Sequence, residues 1–399
     1  MIEEWLHYGI RLFHLIAGIM WIGTSFYFVW LDFSFEPLPE EKAEEGKTRG
    51  VVGETYMVHG GFFYRVEKQQ PKSMPKHLHW FKYEALLTYI SGVMLLALLY
   101  WWTGGGAALV SPNFPLHRHV AMTLSICVVT FAWVIYDLLW KFVGKRNQNV
   151  ALAISLLLLG GLIYGLCYVF PGRVAYIHVG AVLGTVMITN VWMRILPAQK
   201  RMIAARLAGK EPDWAEGAAA KQRSLHNSYV TIPVLFTMLS NHFSFAFDHR
   251  LNWAVLVALC VLGASVRHLM ITIERQQTAY WAFGTAAAGL LAAVAITWPI
   301  PPPVDTTPPV SFAEANDVIV RRCRQCHTAE PTDTIFHAPP NGLTFDSPGT
   351  IVAMASRIRF RVVEARTMPF AAATGSAADI TEEERELLRR WIDQGAHGP

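Results

Sequence analysis

Five consecutive residues, Cys323-Arg324-Gln325-Cys326-His327, carry the most specific chemistry in this chain. C-x-x-C-H is the attachment signature of a c-type haem. Two thiols add across the vinyl groups, and the adjacent histidine becomes an axial ligand to iron. A zinc site would need a second Cys/His pair at suitable spacing. After His327 there is no further cysteine, only His337 and His397. The motif therefore predicts covalent haem c, one-electron chemistry and export of this segment, because haem c is attached outside the cytoplasmic membrane. Met368, 41 residues beyond His327 in Thr367-Met368-Pro369, is the expected second axial ligand. A Met/His pair raises the potential and suits electron transfer. Met354, in an expected helix, is the other sulfur in reach. Thr381-Glu-Glu-Glu384 reads as a capping box opening a helix to about Ala396, with Leu387, Leu388, Trp391 and Ile392 on one face. Helix, CxxCH, loop, Met-Pro and terminal helix is the layout of a small class I-like cytochrome c, over about 311–399.

What must position this segment is apolar. Of the 399 residues 53% are hydrophobic and only 16% charged, against about 25% charged in soluble domains. Eight runs have the length needed to cross about 30 Å of hydrocarbon: about 5–31, 82–103, 117–139, 150–170, 174–196, 228–247, 252–274 and 277–298. The first is too long for a signal segment and reads as an uncleaved anchor. The expected fold class is all-α: an eight-helix transmembrane bundle over 1–298, a proline-rich linker over 299–310, and the cytochrome domain. Lysine and arginine set the orientation. They crowd the connections after spans one, three and five, while the alternate connections hold only Arg118, Arg173 and Arg250. Both termini then lie on the outer side, where haem c is attached.

Ionisable residues inside such spans are functional suspects. His14, His117, His119, His178 and His242 all fall in the outer half. Imidazoles from facing helices are the usual ligands of a bundle-embedded haem b or metal. His14, His178 and His119 are the candidates for such a second redox centre, expected because haem c takes one electron at a time. His242, beside Asn241, is a candidate for substrate binding or proton transfer. Toward the inner side lie Asp32, Asp137, Asn190, Arg194, His226, Asn227, Arg267, His268 and Glu274. Arg267 is deep in span seven, and a buried arginine needs an anionic partner. Asp137 or a bound anion would serve. Val58-His-Gly-Gly61 in the long connection 32–81 offers glycines that let backbone approach a ligand.

Taken together, His14-Leu-Ile-Ala-Gly-Ile-Met-Trp-Ile-Gly23 with Ser25-Phe-Tyr27, Val58-His-Gly-Gly61, Leu78-His-Trp-Phe-Lys82, Asn190-Val-Trp-Met-Arg194 with Pro197, His226-Asn227, Thr231-Ile-Pro-Val-Leu-Phe236, Ser240-Asn-His242 and the CxxCH domain resemble the membrane-bound bacterial urate hydroxylases, also called cytochrome c urate oxidases. The resemblance covers nearly the whole length. It implies oxidation of urate to 5-hydroxyisourate, with electrons leaving through haem c to soluble cytochrome c or a respiratory-chain oxidase. It also implies a multi-pass protein of the bacterial inner membrane with periplasmic termini. The expected partners are urate, that acceptor and the lipid bilayer, with no nucleic acid. His226, Arg267, His242 and Asn241 are the expected catalytic set, arginine and amide holding the anion and a histidine taking the proton. Two other classes fit parts of the pattern: an electron-transfer anchor serving a separate dehydrogenase, and a redox-linked transporter. Eight helices with buried Arg267 and Asp137 exceed what an anchor needs.

Overall fold

The computed structural model of the protein describes residues 2–70, 77–111, 114–298, 308–333, 336, 338–364, 366–369 and 380–399. Most of the linker expected at 299–310 lies outside them. The chain opens with α1 (Ile2–Ser34) and a short α2 (Ala43–Arg49). Next comes an antiparallel hairpin of β1 (Val51–His59) and β2 (Phe62–Gln69). This hairpin departs from the all-α expectation. Its cause is local: Gly60 and Gly61 sit at φ 59° and 81°, the pair of positive values that a two-residue type I′ turn demands. Tyr27 Oη donates to Met57 Sδ at 3.6 Å, and Glu36 pairs with Glu54 through backbone bonds of 3.0 Å. The hairpin thus packs on the end of α1.

The bundle continues with α3 (Tyr83–Leu96, extended by a π-helical stretch to Trp102), α4 (Arg118–Phe142) and α5 (Gln148–Val169). Then α6 (Gly172–Asn190) runs through a π-helical turn, Val191–Ile195, into α7 (Leu196–Leu207). After it come α8 (Trp214–Leu239), α9 (Ser244–Phe247), α10 (Asn252–Glu274) and α11 (Tyr280–Thr297). Among the described residues, seven helices are long and apolar enough to cross a membrane. The sixth expected span is not one of them. α8 begins at Trp214 and carries Glu216, Lys221 and Arg223 in its first half, and it stops at Leu239, short of 247.

α6 is the bundle's central helix, with thirteen of its nineteen residues buried. Its glycine at 180 is a requirement of packing. A Cβ there would collide with Thr237 Oγ1 and lie 2.9 Å from Met238 Cε on α8. Small residues let helices approach closely where apolar burial alone gives no drive.

The C-terminal unit has a core of its own. α12 (Phe312–Arg322) and α15 (Glu382–Asp393) each open with a complete capping box, Ser311/Glu314 and Thr381/Glu384. Ala315, Val318 and Ile319 of α12 are buried with Leu388 and Trp391 of α15. Arg322 Nε lies 2.9 Å from Glu384 Oε2 across the pair. Between them stand α13 (Pro348–Ala353), α14 (Ala355–Ile358) and a π-helical turn, Arg359–Glu364.

Candidate functional site

The CxxCH segment begins where α12 ends, with Cys323 as the C-cap. The His327 N–H donates to Cys323 O at 3.0 Å, closing the motif on itself. His327 Nδ1–H donates to Leu343 O at 3.0 Å. That bond fixes the ring and leaves Nε2 with the lone pair a metal needs. Cys323, Met354 and Met368 all border the same apolar core. The Met368 N–H donates to Arg361 O at 3.0 Å, and Arg385 Nη1 donates to Met368 O at 3.2 Å. Neither cysteine is in a disulfide. Burial pushes the Cys323 thiol up to about 12 and that of Cys326 up to about 11. A reactive CxxC gains its thiolate from a helix N-terminus or a nearby cation. This one stands at a helix C-terminus, which disfavours negative charge. A thiol and a thioether on one core, with a second thiol and an oriented imidazole three and four residues after the first, fit a c-type haem.

At the hairpin end of the bundle, α4, α6 and α8 share a polar network. Asp137 takes Arg194 Nε at 2.8 Å and Arg223 Nη2 at 3.3 Å. Asn190 Nδ2 donates to Asn227 Oδ1 at 3.0 Å, and His226 Nδ1 meets Tyr136 Oη at 2.7 Å. Asp137 is therefore not the partner of Arg267, because Arg194 and Arg223 already occupy its oxygens. Arg267 is fully buried, with Nε donating to Ser228 Oγ at 2.8 Å and Cζ 3.8 Å from the Phe26 ring centroid. Its nearest anion is Glu274, Nη1 to Oε1 3.8 Å. Among the described residues, Arg267 Nη2 and Glu274 Oε2 have no hydrogen-bond partner. A buried donor and a buried acceptor left unsatisfied cost about 1–3 kcal/mol each, more when charged, unless a ligand uses them.

The four residues expected to act together do not converge. His226 and Ser228, two apart on α8, look to opposite sides of the helix, so His226 faces Tyr136 while Ser228 meets Arg267. Asn241 and His242 follow the far end of α8. From 226 to 239 the helix alone spans about 20 Å. Asn241 Oδ1 accepts from Arg173 Nε at 2.7 Å, and His242 is exposed. The second redox centre does not assemble either. His178 Nδ1–H donates to Val174 O at 2.8 Å, and its Nε2 accepts from Ser125 Oγ at 2.6 Å. No ring nitrogen is left to bind iron. His14 Nδ1–H donates to Thr88 O at 2.9 Å and braces α1 on α3, while His117 and His119 lie exposed beside each other at the start of α4. Among the described residues no group of three or more His, Cys, Asp or Glu could hold a metal ion. These residues do not fit a haem b or metal between His14 and His178.

A model of the family described as urate oxidase N-terminal matches residues 1–298. The chain belongs to that family. No curated protein and no solved structure matches it. Membership in the urate oxidase N-terminal family supports an oxidoreductase acting on urate. The matched segment holds the whole helical bundle, Arg267 included, and ends before CxxCH.

Within the urate oxidase N-terminal segment, three residues escaped the reading of the sequence. Phe26 backs Arg267, Arg223 completes the Asp137 pair, and Ser125 saturates His178. Arg223 had a signal, since it stands four residues before Asn227 and so on the same face of α8. Phe26 stands inside the Ser25-Phe-Tyr27 motif, but neither it nor Ser125 has a signal for its partner, because helix-to-helix pairing is not written in local spacing.

Proposed function

We propose that this protein is an integral-membrane oxidoreductase that hydroxylates urate to 5-hydroxyisourate and delivers the electrons outward, without peroxide. One observation carries the reading. A chain of the urate oxidase N-terminal family also bears a CxxCH whose histidine is already oriented by Leu343. Urate plus water gives 5-hydroxyisourate, two protons and two electrons, so the electrons need an acceptor. Cys323, Cys326 and His327 would hold a c-type haem, with Met368 as a further sulfur donor, and the group would supply a one-electron outlet toward soluble cytochrome c or a respiratory-chain oxidase.

The substrate-holding groups are Arg267 and Glu274. Urate is a planar anion whose edge alternates N–H donors with carbonyl acceptors. Arg267 Nη2 supplies the donor and charge, and Glu274 Oε2 accepts an N–H of the ligand. Phe26 keeps the guanidinium plane in place. Glu274, and not His226 or His242, takes the proton-accepting part, since it is the group that faces Arg267. An anchor for another enzyme has no use for a buried arginine with an unused donor.

The apolar helices belong in a bilayer. Seven have the length and composition, and Leu15, Ile16, Ile19 and Met20 of α1 and Leu157 of α5 are exposed. A soluble monomer rarely exposes apolar surface on that scale. α8 makes the eighth crossing, shielded by its neighbours, and both termini face the periplasm of the bacterial inner membrane. The test is anaerobic. Mixing purified protein with urate and no other acceptor should reduce a covalently bound haem. Urate that leaves the haem oxidised, or protein lacking covalent haem, refutes the reading.

A further inference from the structure

Asp248 follows α9 at the end of the bundle opposite the hairpin, and its side chain is only 1% exposed. Arg361, in the π-helical turn of the C-terminal unit, reaches it: Nε lies 2.8 Å from Oδ2, off the angle of a hydrogen bond but well within an ion pair. The same guanidinium lies 5.3 Å from the Phe247 ring centroid. Beside this contact opens a cleft of about 1970 Å³ walled by both units, with His242, Arg250 and Trp298 on one side and Arg357, Phe360 and Thr367 on the other. Arg361 has a second task. Its carbonyl accepts the N–H of Thr367 at 2.9 Å and of Met368 at 3.0 Å, and its Nη1 reaches Thr367 Oγ1 at 3.4 Å. The loop that carries Met368 is thus built on the residue that grips the bundle.

We propose that Arg361 is a positioning residue that docks the C-terminal unit on Asp248 with the Met368 loop bordering the interface. The unit is then seated on the bundle and does not swing freely on a tether. Burying a carboxylate is costly, and Arg361 offsets part of that cost. Removing one member of such a pair leaves the other charge uncompensated, which is where the large penalties arise. A chain that only tethered its two units would have no reason to bury an acid at this spot or to aim an arginine at it. That seating serves electron transfer rests on the function proposed above; the seating itself does not.

The test therefore uses neither haem nor urate. Full-length protein with a protease site inserted between Trp298 and Pro308 and an epitope tag at the C-terminus is cut in native membranes. The membranes are washed, and the tagged fragment still attached is measured. At about pH 8, above the range in which burial keeps the Asp248 carboxyl protonated, wild-type fragment should stay at low ionic strength and leave at high. Arg361→Gln should raise the released fraction roughly tenfold, and Arg361→Lys should recover most of the retention. Asp248→Asn, which leaves the C-terminal unit's own sequence intact, should also release the fragment. Release of wild type at low ionic strength, or retention as full as wild type in both Arg361→Gln and Asp248→Asn, overturns the proposal.

Discussion

Arg267 pairs with Ser228 and Phe26, and its Nη2 amino group finds no partner among the described residues. A charge-assisted bond of that kind is worth about 1.5–3 kcal/mol. Arg267→Gln should therefore lower kcat/KM for urate by about 10- to 100-fold, with most of the loss in KM, as steady-state kinetics would report. An unchanged KM would place the anion elsewhere. At the other end of the chain, Met368→Ala should leave covalent haem in place and weaken its sulfur–iron charge-transfer band. Its potential should drop by on the order of 0.1 V, a fraction of the ~0.8 V that axial ligands span. Redox titration of purified protein reads this directly, and an unmoved potential would give the position to Met354 or another donor. The two sites were not equally legible. CxxCH needs only neighbours in sequence, so its residues could be read from spacing. Arg267 could be singled out by depth alone, but its partners come from α1 and α8, and no local pattern announces Phe26 or strips Asp137 away toward Arg194 and Arg223.

Helices were legible where an apolar run and its caps coincide. The box at Thr381 and Glu384 opens α15 as its spacing demands. α8 is less legible because its first half is polar yet helical, held by an Asp213 cap and by packing on α6 and α10. The hairpin was legible in principle, since Gly-Gly between apolar and β-branched runs is a turn signal. The same two glycines also fit a close approach of backbone to ligand. The structure gives the glycines a simpler purpose. Both have positive φ, and a Cβ on either meets nothing within 4 Å. Gly61→Asn, which tolerates that conformation, should leave urate turnover unchanged. Gly61→Val should destabilise the hairpin by about 1 kcal/mol or more and speed proteolysis between β1 and β2. Loss of turnover in Gly61→Asn with the hairpin intact would restore the ligand-binding reading of this turn.

The whole molecule joins two chemistries of different legibility, a bundle of the urate oxidase N-terminal family and a C-terminal unit with its own core. Their contact carries a pH signature. Burial raises the Asp248 carboxyl from its ordinary 3.8 to about 7, with Arg361, Arg173 and Arg357 pulling it back only in part. An acid whose folded pKa is raised favours the folded state most below its unfolded pKa, and that contribution is lost as pH rises through the folded one. Relative to Asp248→Asn, the wild type should lose stability between about pH 4 and pH 7 and then level off. Thermal unfolding in detergent across that range checks it, and a constant difference would contradict the burial of this carboxylate. The central claim is that electrons from urate leave through the C-terminal unit and not to O2. Its most direct measurement follows peroxide and reduction of added cytochrome c together during urate turnover, with and without O2. Two cytochromes should be reduced per urate consumed, with no stoichiometric peroxide, the same rate without O2, and a requirement for Cys323, Cys326 and His327. Equimolar peroxide, or full activity after deletion of residues 311–399, would contradict it.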